Sequence, residues 1–377
     1  PQGLSNTAWA YATLDHASPE LFDAVAKEAR GRLRGFAPQG LSNLVWAYAA
    51  LGHASPELLD AVAAQATGQL RSFRRQGLVN LVWAFATLGH ASPALFDAVA
   101  EEALRQVHEF KPQELANTAW AYSTLGHASP ALLDAVATQA RGRLTDFNPQ
   151  ELANTVWAFA TLGQAAPALF DAVAKEARGR LQDFKPQELV NVAWAYAVAD
   201  ASSPDLFAAP GFVECCAAAE ASLAEGGLCQ LHQWQLWMDG CGHPWPKLPV
   251  ELAERCHAAF CAGKGTPSRT QRLIAGVLAE LDLKPREEVR TPQGYSLDAV
   301  VLMSGREVAV EVDGPSHFLG GEGGRTPNGA TTLKRRQLRA AGWPLLAVPY
   351  WEWEAIRDDA AGRREYLLRG LRREVSK

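Results

Sequence analysis

A block of 37 residues returns from the start of the chain to about residue 199 without insertion or deletion. Pro1-Gln2-Gly3-Leu4-Ser5-Asn6 recurs as Pro38-Gln39-Gly40-Leu41-Ser42-Asn43, and the same pattern restarts at Arg75, Pro112, Pro149 and Pro186. One slot holds Asn6, Asn43, Asn80, Asn117, Asn154 and Asn191, and another holds Trp9, Trp46, Trp83, Trp120, Trp157 and Trp194. A fixed period of this length means stacked units, each too small to bury its own apolar face.

Every unit reads as two helices. Asn148-Pro149-Gln150-Glu151 supplies an N-cap, a proline at the first helical position and a glutamate placed for a capping box, and that helix is expected to end near Gly163. Ser18-Pro19-Glu20 starts the second helix in the same way, with the acid at the positive end of the dipole. Leu21, Phe22, Val25, Ala29 and Leu33 then fall on one side, and Lys27, Glu28, Arg30 and Arg34 on the other. The first helix is apolar nearly all round, so neighbouring pairs must cover it. An α-solenoid follows, with an extended surface suited to a long ligand.

Slots that differ between units are the candidate readers of such a ligand. The third slot runs Gly3, Gly40, Gly77, Glu114, Glu151, Glu188; the fifth runs Ser5, Ser42, Val79, Ala116, Ala153, Val190. The seventh is Thr7, Leu44, Leu81, Thr118, Thr155, Val192. Constant slots are expected to be scaffold, while the variable ones either read successive bases or drift neutrally. The asparagine slot is expected to bond backbone between repeats in preference to ligand. His16, His53, His90 and His127 close the first helices, where the C-terminal dipole suits them.

After residue 200 the period stops. Residues 201–265 hold all six cysteines, five prolines and Trp234, Trp237 and Trp245. This segment reads as irregular helices capping the array, with the tryptophans in its core. Cysteines confined to one stretch argue for a reduced compartment over a disulfide framework. Cys241-Gly242-His243 and Cys256-His257 match no common zinc spacing. No apolar run is long enough to cross a bilayer, so no membrane partner is expected.

From Ser268 the grammar becomes mixed. A helix over Arg269–Leu281 precedes strand-like runs at 288–290, 297–303 and 306–313. A Gly-rich loop, a basic helix from Thr332 to Ala341, a strand at 345–348 and a helix at 363–373 complete the order α-β-β-β-α-β-α. Ser304-Gly305 is a plausible two-residue turn. If so, Met303 faces Arg306 and Asp298 lies opposite Glu311, with Asp313 on the same face and Val308, Val310 and Val312 pointing into the core. Three acids on one face need a cation. Either a divalent metal on Asp298, Glu311 and Asp313 or the basic helix with Lys334, Arg335, Arg336 and Arg339 would serve.

The run Val308-Ala309-Val310-Glu311-Val312-Asp313-Gly314-Pro315-Ser316-His317-Phe318 resembles the signature of the RAP domain. So do Asn328-Gly329-Ala330-Thr331, Lys334-Arg335-Arg336-Gln337-Leu338, Gly342-Trp343 and Val348-Pro349-Tyr350-Trp351-Glu352-Trp353, over roughly residues 268–370. The array before it resembles the heptatricopeptide repeats, kin of octotricopeptide repeats, that accompany such domains. The resemblance implies an α-helical repeat solenoid (1–200), a capping segment (201–265) and a small α/β domain of restriction-endonuclease-like fold (266–377).

It also implies an organellar protein, mitochondrial or alternatively chloroplastic, that binds single-stranded RNA (rRNA or mRNA) in processing, stability, translation or ribosome assembly. Ribosomal or RNA-processing proteins are implied as further partners. RNA contacts would then come from Lys334, Arg335, Arg336, Arg339 and His317, and from Gly3, Ser5, Gly40, Ser42, Gly77, Glu114, Glu151 and Glu188 in the repeats.

In the nuclease superfamily an Asp and a Glu-x-Lys hold Mg²⁺ or Mn²⁺. Asp298 and Glu311 match the acids, whereas Asp313 stands in the lysine slot and Lys334 is the available substitute. A metal-dependent endoribonuclease is therefore the alternative to non-catalytic binding, and a protein-binding scaffold is a third reading. The formal charge of −5 alone disfavours nucleic acid. Divided by segment it does not: residues 1–185 carry −2, 186–260 carry −7, and 261–377 carry +4.

Overall fold

The computed structural model describes residues 1–263, 266–320 and 324–376, so residues 321–323 of the Gly-rich loop lie outside the described residues. The first helices of the repeats are α1 (Gln2–Thr13), α3 (Pro38–Ala50), α5 (Arg75–Thr87), α7 (Pro112–Thr124), α9 (Pro149–Thr161) and α11 (Pro186–Ala199). Between them run the second helices α2 (Pro19–Arg30), α4 (Pro56–Thr67), α6 (Pro93–Gln106), α8 (Pro130–Arg141) and α10 (Pro167–Arg178). Contacts divide the chain inside α11, into a unit of Pro1–Glu188 and a second built from Leu189–Phe318 and Arg325–Lys377.

Within the first unit, α1, α3, α5, α7 and α9 pack side by side, as do the second helices. The capping box forms as expected: Glu151 N–H donates to Asn148 Oδ1 at 2.9 Å, and Asn148 N–H to Glu151 Oε2 at 2.9 Å. Ser18, Ser55, Ser92 and Ser129 occupy the N-cap positions of the second helices, yet their hydroxyls cap nothing. There the proline does the work, since it carries no N–H to satisfy. Gly52, Gly89, Gly126 and Gly163 leave the first helices at φ +63, a left-handed turn that a glycine adopts without strain.

The histidines have a different task from the one expected. His53 Nε2 meets Asp23 Oδ1 at 2.9 Å, and His90–Asp60 and His127–Asp97 repeat the contact at 2.8 Å. Each ring thus reaches the second helix of the preceding repeat, and Gln164 makes the same bridge to Asp134 at 2.9 Å. Tyrosine adds another such tie: Tyr48 OH donates to Phe22 O at 2.6 Å, and Tyr122 OH to Phe96 O at 2.7 Å. Phe85 and Phe159 fill that slot elsewhere and are fully buried. Tyr122→Phe should therefore keep the packing and lose only one buried hydrogen bond, about 1 kcal/mol in urea unfolding. A loss above about 3 kcal/mol would mean that the hydroxyl organises the interface.

The second unit opens with α11. Next come α12 (Pro204–Phe207), α13 (Gly211–Ala218), α14 (Glu225–Cys241) and α15 (Val250–Ala262). Phe207, Phe212, Trp234 and Trp237 are buried together, so these tryptophans are core, as their setting in the sequence implied. After α16 (Arg269–Glu280) come β1 (Arg286–Arg290), β2 (Ser296–Met303) and β3 (Arg306–Asp313). Next are α17 (Gly329–Ala340), β4 (Leu345–Pro349), α18 (Tyr350–Ala355) and α19 (Ala360–Val375).

The sheet has the order β1-β2-β3-β4, with β4 parallel to β3 and the other pairs antiparallel. Met303 pairs with Arg306 across Ser304-Gly305, both at positive φ, the twist a two-residue hairpin requires. One face buries Val308, Val310 and Val348 against α16 and α19. The other buries Val300, Ala309 and Leu345 against Leu338 of α17.

The largest departures from the sequence reading are two helix starts. Asn328 Oδ1 accepts from Thr331 N–H at 2.9 Å, which starts α17 at Gly329 instead of Thr332. Asp359 caps α19 in the same way through Gly362 N–H. The short helix α18 went unread because its Trp- and Tyr-rich segment has no apolar period of its own. No helix among the described residues is long and apolar enough to cross a membrane.

Candidate nucleic-acid interface

In the second unit Asp298 lies close to Glu311 and Asp313, and the basic helix pairs with the latter two. Asp298, just beyond the last β2–β3 pair Ala299–Val310, accepts from Val312 N–H at 2.7 Å and from Gln271 Nε2 at 2.6 Å. Lys334 Nζ donates to Glu311 and, at 3.0 Å, to Ser296 O. Arg335 donates to Asp313, whose other oxygen lies 3.1 Å from His317 Nδ1. Glu311 and Asp313 are both at least 97% buried.

Their chemistry diverges. Burial pushes the Glu311 carboxyl up to about 7 despite Lys334, with Asp298 and Asp313 adding like charge. Burial also presses on Asp313, but the hydrogen bond from His317 and the charge and hydrogen bond of Arg335 hold it below the usual carboxylate range. The difference lies in partners: Asp313 uses both oxygens, one on Arg335 and one on His317, while Glu311 Oε1 is buried without a hydrogen bond.

This donor set does not fit Mg²⁺ or Mn²⁺. The oxygens of Asp298 are taken by an amide and a backbone N–H, and the Lys334 ammonium is bonded to Glu311. Among the described residues no group of three or more His, Cys, Asp and Glu side chains is arranged to hold a metal ion. The metal site expected on Asp298, Glu311 and Asp313 does not fit these side chains as they are paired here.

The expected phosphate clamp is consumed in a related way. Lys334 and Arg335 are paired, and Arg336 donates to Ala197 O and to Val198 O (3.2 Å), closing the C-terminus of α11. Arg339 is exposed and makes no ion pair among the described residues, and His317 is partly exposed. Trp351 packs on Phe318 with a centroid distance of 4.3 Å, and Arg325 lies 5.7 Å from the Trp351 ring.

In the first unit, the variable slots do scaffold work. Ser5 and Ser42 are 98% buried and return their hydroxyls to Gln2 O and Gln39 O at 3.1 Å. A side chain on Gly40 would meet Phe36 and Ser5, and one on Gly77 would meet Phe73 and Ser42, so both glycines serve the contact between repeats. Gly3 faces open space. Glu114, Glu151 and Glu188 each accept the N–H of their own N-cap, at 2.7, 2.9 and 2.8 Å. Leu44, Leu81, Thr118 and Thr155 are buried.

Asn43, Asn80, Trp9, Trp46 and Trp83, in slots expected to be scaffold, line a groove instead. Second, sixth and ninth positions share one helical face, being spaced four and three apart. They place Gln76, Asn80 and Trp83 of α5 in one groove of about 1050 Å³, with Trp9 and Trp46 before them and Gln113, Asn117 and Gln150 after. Asn43, Asn80, Asn117 and Asn154 make no hydrogen bond among the described residues, so the inter-repeat backbone bond expected of them is absent. Trp9 is 45% exposed, and Trp46, Trp83 and Trp120 are half-buried. Arg75 is held by Glu114 Oε2 at 3.0 Å and Glu109 Oε2 at 3.7 Å, whereas Arg74 and Lys111 are exposed and unpaired on the rim.

The fold and these two regions define a helical-repeat array followed by a RAP domain. Residues 310–369 match the family described as RAP domain. In the array, residues 4–67 and 41–107 match FAST kinase-like protein, subdomain 1, and residues 83–216 match RNA-editing substrate-binding complex 6 protein. A RAP domain-containing protein, chloroplastic, of Oryza sativa subsp. japonica is 43% identical over 81 residues, which is 22% of this chain and 12% of that relative.

Proposed function

We propose that the chain is a single-stranded RNA-binding protein acting in an organelle, on mRNA or rRNA, in processing, stability, translation or ribosome assembly. The observation that carries this reading is the groove of Trp83, Asn80 and Gln76 and their counterparts. It offers aromatic faces and free amides, the two groups with which proteins hold unpaired bases. The named RNA-editing family over residues 83–216 and the chloroplastic relative support the same direction. In this proposal residues 1–200 form a heptatricopeptide-type solenoid, 201–265 a capping segment and 266–377 a RAP domain of restriction-endonuclease-like fold. The RAP domain contributes Arg339, His317 and Arg325, and its acids serve the fold.

Crosslinking in the native organelle followed by sequencing of bound RNA tests the reading, together with titration of the purified chain against single- and double-stranded RNA. Single strands should bind at low salt and duplexes far more weakly. Absence of any RNA affinity at about 50 mM salt sinks the proposal, because electrostatic attraction is strongest there.

A further inference from the structure

We infer that the solenoid groove grips an unpaired strand mainly by its bases, with only Arg74 and Lys111 meeting phosphate. This rests on the RNA-binding reading above and specifies how the strand is held. Three observations carry it.

First, the polar groups lining the groove are amides. Gln76, Asn80, Gln113 and Asn117 have no hydrogen-bond partner among the described residues, so a base edge would be matched by a donor and an acceptor from each. Second, three successive first helices, α1, α3 and α5, each place an indole in the groove: Trp9, Trp46 and Trp83. Packed helices lie roughly 8–10 Å apart, which leaves room for a flat base beside each indole without the bases having to stack on one another. Third, the local charge is nearly used up. Arg75 is bound to two glutamates, and those glutamates are thereby unavailable to attract a basic peptide. Arg74 and Lys111 remain, both exposed on the same rim.

A backbone-gripping protein neutralises many phosphates and loses affinity steeply in salt. Each phosphate neutralised on a single strand contributes about −0.7 to the slope of log K against log salt. Two cations therefore contribute about −1.4. A site that contacts neither sugar nor most phosphates also has no means of reading the 2′-hydroxyl, so single-stranded RNA and DNA of one sequence should bind alike.

The test uses the full chain and a randomised-sequence single-stranded RNA, with its DNA counterpart, followed by quenching of tryptophan fluorescence and by polarisation over a salt series. Trp83→Ala should weaken binding about ten-fold, as loss of one stacked base does, and Trp83→Phe should recover most of it. Trp83 is half-exposed, so both variants should retain the wild-type circular dichroism. Arg74→Ala with Lys111→Ala should lower affinity at low salt and flatten the slope by about 1.4. DNA should bind within about three-fold of RNA.

Binding that is unmoved by Trp83→Ala and by the double charge variant would place the strand elsewhere on the chain. That result overturns this inference and leaves RNA binding standing. RNA preferred over DNA by more than about thirty-fold also overturns it, since the site would then read the sugar. No binding of either strand at low salt overturns the RNA-binding reading itself.

Discussion

Lys334→Met should destabilise the C-terminal domain by about 3 kcal/mol at pH 8 and by much less at pH 5.5. Lys334 is the only cation on Glu311 among the described ion pairs, and Glu311 is almost wholly buried. Removing one member of a buried pair leaves an uncompensated charge, at a cost of about 3–5 kcal/mol. Glu311 can escape that cost by taking a proton, and its carboxyl is already pushed up to about 7 by burial.

The sign follows from this. A carboxyl whose folded pKa lies above its unfolded value contributes stability that is complete below about pH 4.5 and lost as pH rises through about 7. That span corresponds to about 3 kcal/mol at 1.36 kcal/mol per unit. Asp313 works in the opposite sense, because its carboxyl is held low: its contribution is lost only as pH falls below the ordinary aspartate range. The two windows do not overlap.

Glu311→Gln should remove the decline between pH 5 and 8 and be at least as stable as the native chain at pH 8. Lys334 would retain its bond to Ser296 O and its partial exposure to water. Subtracting the variant's profile from the native one isolates the contribution of Glu311. Hydrogen exchange of β3 and α17 amides under urea reads the affected domain. Parallel profiles for the native chain and Glu311→Gln would falsify the assignment.

The architecture was legible because period and face pattern are written directly in the residue order. The 37-residue register set every helix of the array, and the Ser304-Gly305 turn set the strand pairing that puts Glu311 and Asp313 on one face of β3, close to Asp298. What the acids do there was not legible. Whether a carboxylate meets a metal or an ammonium depends on which turn of α17 lies over the sheet, and no pattern within β2 or β3 states that.

The array misled in a more instructive way. From the sequence, constant slots are expected to be scaffold and variable ones to be either readout or neutral drift. In the structure Ser42 and Gly77 meet each other at a repeat boundary, while the invariant Asn80 and Trp83 face solvent in the groove. Sequence can show that one helix is apolar nearly all round, but not which of its faces the neighbouring first helices cover. A glutamine, an asparagine four residues on and a tryptophan three beyond it, recurring in each repeat, are the signal the sequence carries. The His–Asp and Tyr–carbonyl ties escaped for the same reason, since their partners lie 30 and 26 positions away and in a different helix.

Arg336→Ala separates the two views of the basic helix most cleanly. Read from sequence, Arg336 is a phosphate ligand, and its loss should lower RNA affinity while leaving stability alone. In the structure its guanidinium donates to Ala197 O and Val198 O and lies 3.9 Å from Asp200. The last carbonyls of a helix have no partner within the helix. At this end Asp200 turns left-handed at φ 54, and its carboxylate accepts from Trp237 Nε1 at 2.7 Å. Arg336 therefore satisfies two otherwise open acceptors and fastens α17 to α11. Hydrogen bonds from a charged donor are each worth about 1.5–3 kcal/mol, and water will recover part of that at a site with 30% of the side chain exposed. Arg336→Ala should accordingly cost about 2–3 kcal/mol in urea unfolding and speed amide exchange at the end of α11. Arg336→Lys should fall between, because a single ammonium cannot reproduce a forked donor pair. RNA affinity measured well below the unfolding midpoint should change less than about two-fold. Unchanged stability with a ten-fold loss of affinity would instead return Arg336 to the phosphate-binding role.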